Sequence, residues 1–132
     1  MELSEQHVNK HRPVYLDLPN IQFPATAIAS ILHRISGVIL FVALAVLLWL
    51  LATSLESAQG FQSVTELLNT WFAKLVLWGI LTAMAYHLCS GIRHLLMDMG
   101  HFEGSMESGN NSARVTFVLA AVLSVLAGIW LW

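Results

Sequence analysis

A histidine in the middle of a long apolar stretch is the residue whose position most directly implies chemistry. His87 lies six residues before Arg93, and no charged residue separates the two. At about 1.5 Å per helical residue, His87 would sit roughly 9 Å inside the charged end of its helix. Ionisable side chains at such a depth are costly and are usually functional.

Small residues share the helical face of His87, namely Gly79, Ala83, Ser90 and Gly91. Such residues allow two neighbouring helices to approach closely, which is a common packing motif in membranes. They would equally leave room for a flat macrocycle beside the imidazole. The spacing alone leaves open a haem ligand and a histidine that only hydrogen-bonds to a neighbouring helix.

The other histidines cannot complete a haem site from this chain alone. His94 lies seven residues after His87, about 10.5 Å along the same helix. Two nitrogens trans across one iron are only about 4 Å apart, given bonds of about 2 Å each. His7 and His11 fall in the N-terminal tail and His101 in a loop, so His87 is the histidine expected deep in the membrane. A bis-imidazole haem would need its second ligand from another subunit.

A second group of polar residues stands at the start of the first apolar stretch. Ser30, His33, Arg34 and Gly37 follow the spacing i, i+3, i+4 and i+7, so they share one face of a helix. An isolated Arg34 would be typical of a side chain that snorkels to lipid phosphates. Several polar groups together at this depth usually face a bundle interior or a cavity. This face therefore predicts a polar pocket enclosed by protein.

Three long apolar segments must position these residues. They predict membrane spans at about 30–55, 72–95 and 113–132, each built around a stretch without charge. A span needs roughly 20 residues, and it must be helical because lipid offers no hydrogen-bond partners. Pro24 is suited to open the first helix. The sequence thus predicts an all-α integral membrane protein with three transmembrane helices in a single domain, 1–132.

The composition supports this fold class and excludes several functions. Hydrophobic residues make up 57% of the chain and charged residues 11%, and the mean hydropathy is +0.69. A net charge of −2 argues against a nucleic-acid binder. A single cysteine, Cys89, can build neither a disulfide framework nor a cysteine-ligated iron–sulfur cluster. With no dinucleotide fingerprint or P-loop, any catalytic partner must be another chain.

The basic residues indicate an orientation. Lys74 is the one basic residue of the first loop, whereas the N-terminal segment and the second loop hold the others, Lys10, Arg12, Arg34, Arg93 and Arg114. The positive-inside rule then places the N-terminus in the cytoplasm and the C-terminus in the periplasm. The polar segment 103–112 is expected to be a turn-forming connector. An acidic N-terminus is unlike a mitochondrial transit peptide, which favours a bacterial inner membrane.

Two motifs carry a resemblance to a known family. Residues 12–14 (RPV) with 30–37 (SILHRISG) resemble the N-terminal signature of succinate dehydrogenase cytochrome b anchor subunits, and 87–98 (HLCSGIRHLLMD) resembles their second signature. The motifs stand in the expected order, and the likeness is closest to the enterobacterial type. The resemblance, rather than the spacing, selects succinate dehydrogenase among haem-binding membrane proteins.

The resemblance implies specific roles within a haem-binding helical bundle. His87 would be an axial ligand of one haem b, and a second small anchor subunit would supply the other. Ser30 and Arg34 would bind ubiquinone, while His33 and Arg34 would lie near the haem propionates. The anchor would dock a flavoprotein and an iron–sulfur subunit, which deliver electrons from succinate. The chain itself would carry no catalytic residue and no succinate-oxidising site.

Two other functions compete with this interpretation. A fumarate reductase anchor would run the reaction in reverse, although dihaem anchors carry more spans and haemless anchors do not need His87. A non-redox structural or assembly subunit would use its polar groups only to join helices. Absorbance bands of a b-type cytochrome would separate that last class from the haem-binding anchors.

Overall fold

Helices make up nearly all of the chain that the structure, a computed structural model, describes. The described residues are 23–102 and 104–132. They form α1 (Ala25–Glu56), α2 (Ala58–Leu68), α3 (Trp71–Asp98) and α4 (Met106–Leu131). No strand occurs within these ranges, which confirms the all-α prediction. The 12–14 motif, Lys10, His7 and His11 lie outside the described residues.

Three of the four helices are long and apolar enough to cross a membrane. α1, α3 and α4 contain 32, 28 and 26 residues, and their most apolar windows have mean hydropathies of 2.8, 1.6 and 2.1. Their large apolar side chains point outward, and Phe41 and Ile129 are 77% and 72% exposed. Such a surface is stable against lipid or other apolar helices and not in water. The chain is therefore an integral membrane protein with three transmembrane helices, as the sequence predicts.

Local signals explain where the helices begin and end. Pro24 is extended and immediately precedes α1, and the hydroxyl of Thr70 accepts a hydrogen bond from the Ala73 amide at the start of α3. α3 ends in a left-handed Gly100 with φ of 84°. The amides of Gly100 and His101 bond back to carbonyls in the last turn of α3. This arrangement satisfies carbonyls that a helix end otherwise leaves unpaired.

The prediction that residues 103–112 form a turn-like connector is wrong for most of that segment. α4 begins at Met106, because the Ser105 hydroxyl accepts a hydrogen bond from the Ser108 amide. The serines and asparagines that suggested a turn instead form the first turns of a helix that packs on α3. Arg93 and Arg114 are likewise helical residues, in α3 and α4, rather than loop residues.

A short helix that the sequence analysis did not anticipate joins α1 to α3. The Ser57 hydroxyl caps α2 by accepting a hydrogen bond from the Gly60 amide. A side chain on Gly60 would overlap the backbone carbonyl of Thr53, so glycine lets α2 fold back on the end of α1. Phe61 remains exposed on α2 and extends the apolar surface of the bundle.

The spanning helices pack through small and polar residues. Ala29 and Ala43 on α1, and Ala113, Thr116 and Ala120 on α4, are buried. Small side chains let helix backbones approach where lipid gives no hydrophobic drive for association. α3 contacts both other spans and lies between the polar groups of α1 and those of α4. It therefore positions both sides of the candidate site.

Candidate functional site

Three imidazole rings form a row between α1 and α3. His33 on α1 stacks on His87 of α3, with ring centroids 4.2 Å apart and planes inclined by 21°. On its other side His33 lies 5.0 Å from the ring of His94. His33 thus lies between the two α3 imidazoles, and the depth of His87 in the membrane stays a prediction.

The two ring nitrogens of His87 have different surroundings. Nδ1 lies 3.0 Å from the hydroxyl oxygen of Ser36 and 3.3 Å from the carbonyl oxygen of His33. The Ser36 hydroxyl also donates to that same carbonyl, at 2.8 Å. Within the described chain, no hydrogen bond involves Nε2 of His87. α1 approaches the ring closely, because a side chain on Gly37 would begin 3.2 Å from Cε1 of His87.

His33 contributes a second nitrogen without a partner. Its Nε2 is buried and forms no hydrogen bond to any described residue. It lies 3.6 Å from the position where a side chain on Gly91 would begin, so the small residue makes room for the ring. Burying a polar atom unpaired costs about 1–3 kcal/mol. This nitrogen therefore points to a hydrogen-bonding group that residues 23–102 and 104–132 do not provide.

Ser30 and Arg34 lie one helical turn apart near the start of α1. Ser30 is half-buried and Arg34 is exposed, and neither side chain bonds to another described residue. The neighbouring backbone is fixed, because the hydroxyl of Tyr86 on α3 donates to the Ala29 carbonyl at 2.8 Å. The helix thus holds both side chains on a firmly attached segment. Their role in quinone binding stays a prediction.

Arg93 is a buried arginine whose hydrogen-bond partners could not be predicted from the sequence. It is only 4% exposed, and its Nε donates to the Ser112 hydroxyl at 2.9 Å. One terminal nitrogen donates to the Gly109 carbonyl at 3.3 Å. The guanidinium joins α3 to α4 on a different side of α3 from the imidazoles. The polar residues that open α4 were the signal that could have revealed this partner.

Nε2 of His33 and Nε2 of His87 are the imidazole nitrogens that could bind a group from outside the described chain, since neither has a described hydrogen-bond partner. No group of three or more metal-binding side chains occurs in residues 23–102 and 104–132. The stacked rings of His33 and His87 face each other, whereas trans ligands direct their nitrogens at one iron from opposite sides. No described atom lies within 4 Å of the point where a side chain on Gly79 would begin, so this glycine is not a close-packing contact. The role of His87 as a haem ligand stays a prediction.

Comparisons with known proteins agree with this architecture. The family model described as succinate dehydrogenase/fumarate reductase transmembrane subunit matches residues 8–127. A Coxiella burnetii chain named succinate dehydrogenase cytochrome b556 subunit is 45% identical over 127 residues, covering 95% of this chain and 100% of the relative. Chains of the same name from Rickettsia felis and Paracoccus denitrificans are 33% and 30% identical, covering 100% and 88% of this chain and 99% and 88% of their own.

These findings also fix the location of the protein. The matched family consists of transmembrane subunits, the three relatives named above are bacterial, and the chain has three helices of membrane length. It is therefore a multi-pass protein of the bacterial inner membrane.

Proposed function

The chain belongs to the succinate dehydrogenase/fumarate reductase transmembrane subunit family, and we propose that it is the cytochrome b anchor of a succinate:ubiquinone oxidoreductase. In this role it holds one haem b jointly with a second small anchor subunit and contributes to the site of ubiquinone reduction. It docks an iron–sulfur subunit and a flavoprotein subunit on the cytoplasmic side. Succinate is oxidised on those subunits, and this chain supplies membrane attachment and the binding sites within the bilayer.

The proposal that His87 binds haem rests on the hydrogen-bond partners of its ring nitrogen Nδ1. A backbone carbonyl can only accept a hydrogen bond, so its contact with Nδ1 requires that Nδ1 carry the proton. Nε2 then holds the lone pair that an iron needs. Metal-bound histidines commonly donate their other ring N–H to a carbonyl or similar acceptor. A bound haem would supply one-electron redox chemistry, and His87 would hold and orient its iron.

A partner subunit supplies the second axial ligand. His33 stacks face to face with His87 and cannot occupy the opposite side of the same iron without a large rearrangement. His94 lies beyond His33 in the row and is further still from a trans position. The remaining ligand would therefore come from the second anchor subunit, packed against the face of the bundle that presents His87.

His33 and Arg34 are suited to the haem propionates. Arg34 carries a charge and is exposed near the start of α1, and Nε2 of His33 is buried without a partner among the described residues. Carboxylates would satisfy both groups. Hydrogen bonds between charged partners are about twice as strong as neutral ones, and a low dielectric strengthens them further.

Ser30 and Arg34 are the residues that we assign to ubiquinone. Reduction of a quinone takes up two electrons and two protons, so its headgroup needs polar donors and a route to solvent. The half-buried hydroxyl of Ser30 can donate to a quinone carbonyl, and the charge of Arg34 stabilises negative charge that develops on that oxygen. Both lie near the start of α1, on the side we assign to the cytoplasm.

Two alternatives are separable from this proposal. The family description also covers fumarate reductase, which would run the same electron path in reverse. The relatives named above carry the succinate dehydrogenase name, which favours the oxidative direction. A non-redox structural subunit would share the fold and lack haem.

The reduced-minus-oxidised absorbance spectrum of the purified complex tests the class directly. We expect b-type bands in proportion to this chain, and none in the flavoprotein and iron–sulfur subunits prepared without their anchors. A membrane complex that is fully assembled, oxidises succinate with an artificial acceptor and shows no b-type bands would rule out the proposal.

A further inference from the structure

Ser36 is a buried serine between α1 and α3, with 4% of its surface exposed. We propose that Ser36 is a positioning residue that fixes the proton of His87 on Nδ1 and thereby tunes the iron held by Nε2. The inference rests on the proposed ligation of haem by His87. Ser36 touches the ligand and not the iron, so its effect must pass through the imidazole.

The direction of each hydrogen bond follows from counting hydrogens. A serine hydroxyl carries one hydrogen, and Ser36 donates it to the carbonyl of His33, since that oxygen can only accept. The Ser36 oxygen must then accept in its contact with Nδ1 of His87. The contact of Nδ1 with the His33 carbonyl requires the same proton. Both contacts therefore select the tautomer that leaves a lone pair on Nε2.

The hydroxyl is the nearer of the two acceptors. It lies 3.0 Å from Nδ1, whereas the carbonyl lies 3.3 Å away, and hydrogen bonds between nitrogen and oxygen are most common near about 2.9–3.0 Å. Donating to the carbonyl also polarises the hydroxyl and strengthens it as an acceptor. Without the hydroxyl, Nδ1 would keep only the longer contact, in a pocket that Gly37 holds close to the ring.

An acceptor on Nδ1 raises the basicity of the ligating imidazole. A more basic ligand stabilises ferric over ferrous iron, so losing the acceptor should raise the midpoint potential of the haem. Changing such outer partners typically alters metal affinity about 10- to 100-fold. If the ferric form alone is bound tenfold more weakly, the midpoint potential of the haem rises by about 59 mV for this one-electron couple.

Ser54 offers a matched control on the same helix. Its hydroxyl donates to the carbonyl three residues earlier, that of Leu51, at 2.8 Å, as Ser36 donates to His33 at 2.8 Å. Ser54 has no histidine beside it, so Ser54→Ala removes the same local bond without touching a ligand. Ser36→Thr and Ser36→Val add the same bulk and differ in the hydroxyl.

The experiment is a redox titration and a low-spin EPR spectrum of the assembled complex for each variant. We expect Ser36→Ala to raise the ferrous-to-ferric ratio at a given potential about tenfold and to shift the EPR signal. Ser36→Thr should match the wild type more closely than Ser36→Val, a comparison that also decides the case if Ser36→Ala fails to assemble. Ser54→Ala should change nothing.

Two results would overturn the proposal. One is a potential and EPR signal in Ser36→Ala, or equally in Ser36→Val and Ser36→Thr, that match the wild type. The other is an equal shift in Ser54→Ala, which would assign the effect to helix geometry. Failure of the underlying haem assignment looks different, because a variant without the His87 imidazole would then keep the wild-type EPR signal.

Discussion

The two sides of α3 use polar groups in opposite ways. Toward α4, the Trp78 indole donates to the Ser124 carbonyl at 2.9 Å, the Thr82 hydroxyl lies 2.7 Å from that of Ser124, and Arg93 bonds to the start of α4. Toward α1, Nε2 of His33 and Nε2 of His87 have no partner among the described residues. The polar groups of the first set bond to one another, whereas the second set leaves two nitrogens free to bond to something outside the described part of the chain.

The difference separates helix packing from ligand binding in a single bundle. Polar groups that satisfy each other join membrane helices, with typical gains of about 0.6 kcal/mol per bond. A buried atom that lacks a partner among the described residues needs one from elsewhere, whether a water, a ligand or another subunit. Ser90 and Asn110 also bury a side-chain oxygen without a described partner, and one bound water would satisfy each of them.

The largest effect is expected when the second anchor subunit is left out. The α1 side offers half of a haem site, so expression without that subunit should yield little haem-loaded protein. The α3–α4 contact should survive, because its bonds lie within this chain. Haem content per chain, measured by the pyridine haemochrome assay, checks this. A stable, haem-replete homodimer using His87 from both copies would contradict the claim that the α1 side needs another subunit to bind haem.

Removing the polar groups of α1 should next impair quinone reduction. Ser30→Ala leaves a carbonyl oxygen of the bound quinone without its hydrogen-bond donor, which should weaken binding by about 1–3 kcal/mol. The affinity for ubiquinone should therefore fall by roughly 5- to 150-fold. Arg34→Leu should reduce quinone reduction further, since we assign its charge to the haem propionates as well. Succinate oxidation by an artificial acceptor should be preserved in both variants. Wild-type rate and affinity for ubiquinone in assembled variants would move the quinone site elsewhere.

Crowding the imidazole should have a smaller effect. Gly37→Ala places a carbon 3.2 Å from Cε1 of His87, and overpacking of this kind costs about 1–3 kcal/mol. We expect a displaced EPR signal and several-fold weaker haem retention on dilution into detergent. Gly79→Ala is the matched control on α3, because no described atom lies within 4 Å of its added carbon. Equal behaviour of the two variants would show that the ring is not tightly held.

The smallest effect is expected on the α4 side. Trp78→Phe keeps an aromatic ring but removes the donor to the Ser124 carbonyl and part of the indole, so the free energy of unfolding should fall by about 0.5–1.5 kcal/mol for the hydrogen bond and somewhat more for the lost packing. The haem spectrum and quinone kinetics should not change. A thermal unfolding series of the complex, monitored by far-UV circular dichroism, measures the loss. A shifted haem potential in this variant would show that the two sides of α3 are coupled.

Hydropathy predicted the three spanning helices, because a charge-free stretch of that length has no other stable state in lipid. It could not predict α2, which is short and whose position depends on the contact of Gly60 with Thr53. Nor could it place the start of α4, where Ser105 turns a polar segment into a helix. Local polarity favours a turn there, and the cap together with packing on α3 overrides it.

The spacing of residues in the sequence singled out His87 as a candidate haem ligand but could not predict which side chains contact it. The helical face shared by Ser30, His33 and Gly37 was visible in the sequence. The register of α1 against α3 was not, and that register brings His33 and Ser36 onto the imidazole of His87. The partner of Arg93 was hidden for the same reason, since Ser112 and Gly109 meet it only after α4 folds back along α3.

The low-spin EPR spectrum of the complex carrying His87→Leu tests the central claim most directly. If Nε2 of His87 holds the iron, the bis-imidazole signal of the wild type should disappear or change strongly, even where some haem is retained. His101→Leu, at an exposed histidine beyond the end of α3, should keep the wild-type signal. An unchanged bis-imidazole spectrum in the His87→Leu complex would contradict the account and move the haem ligand to another residue.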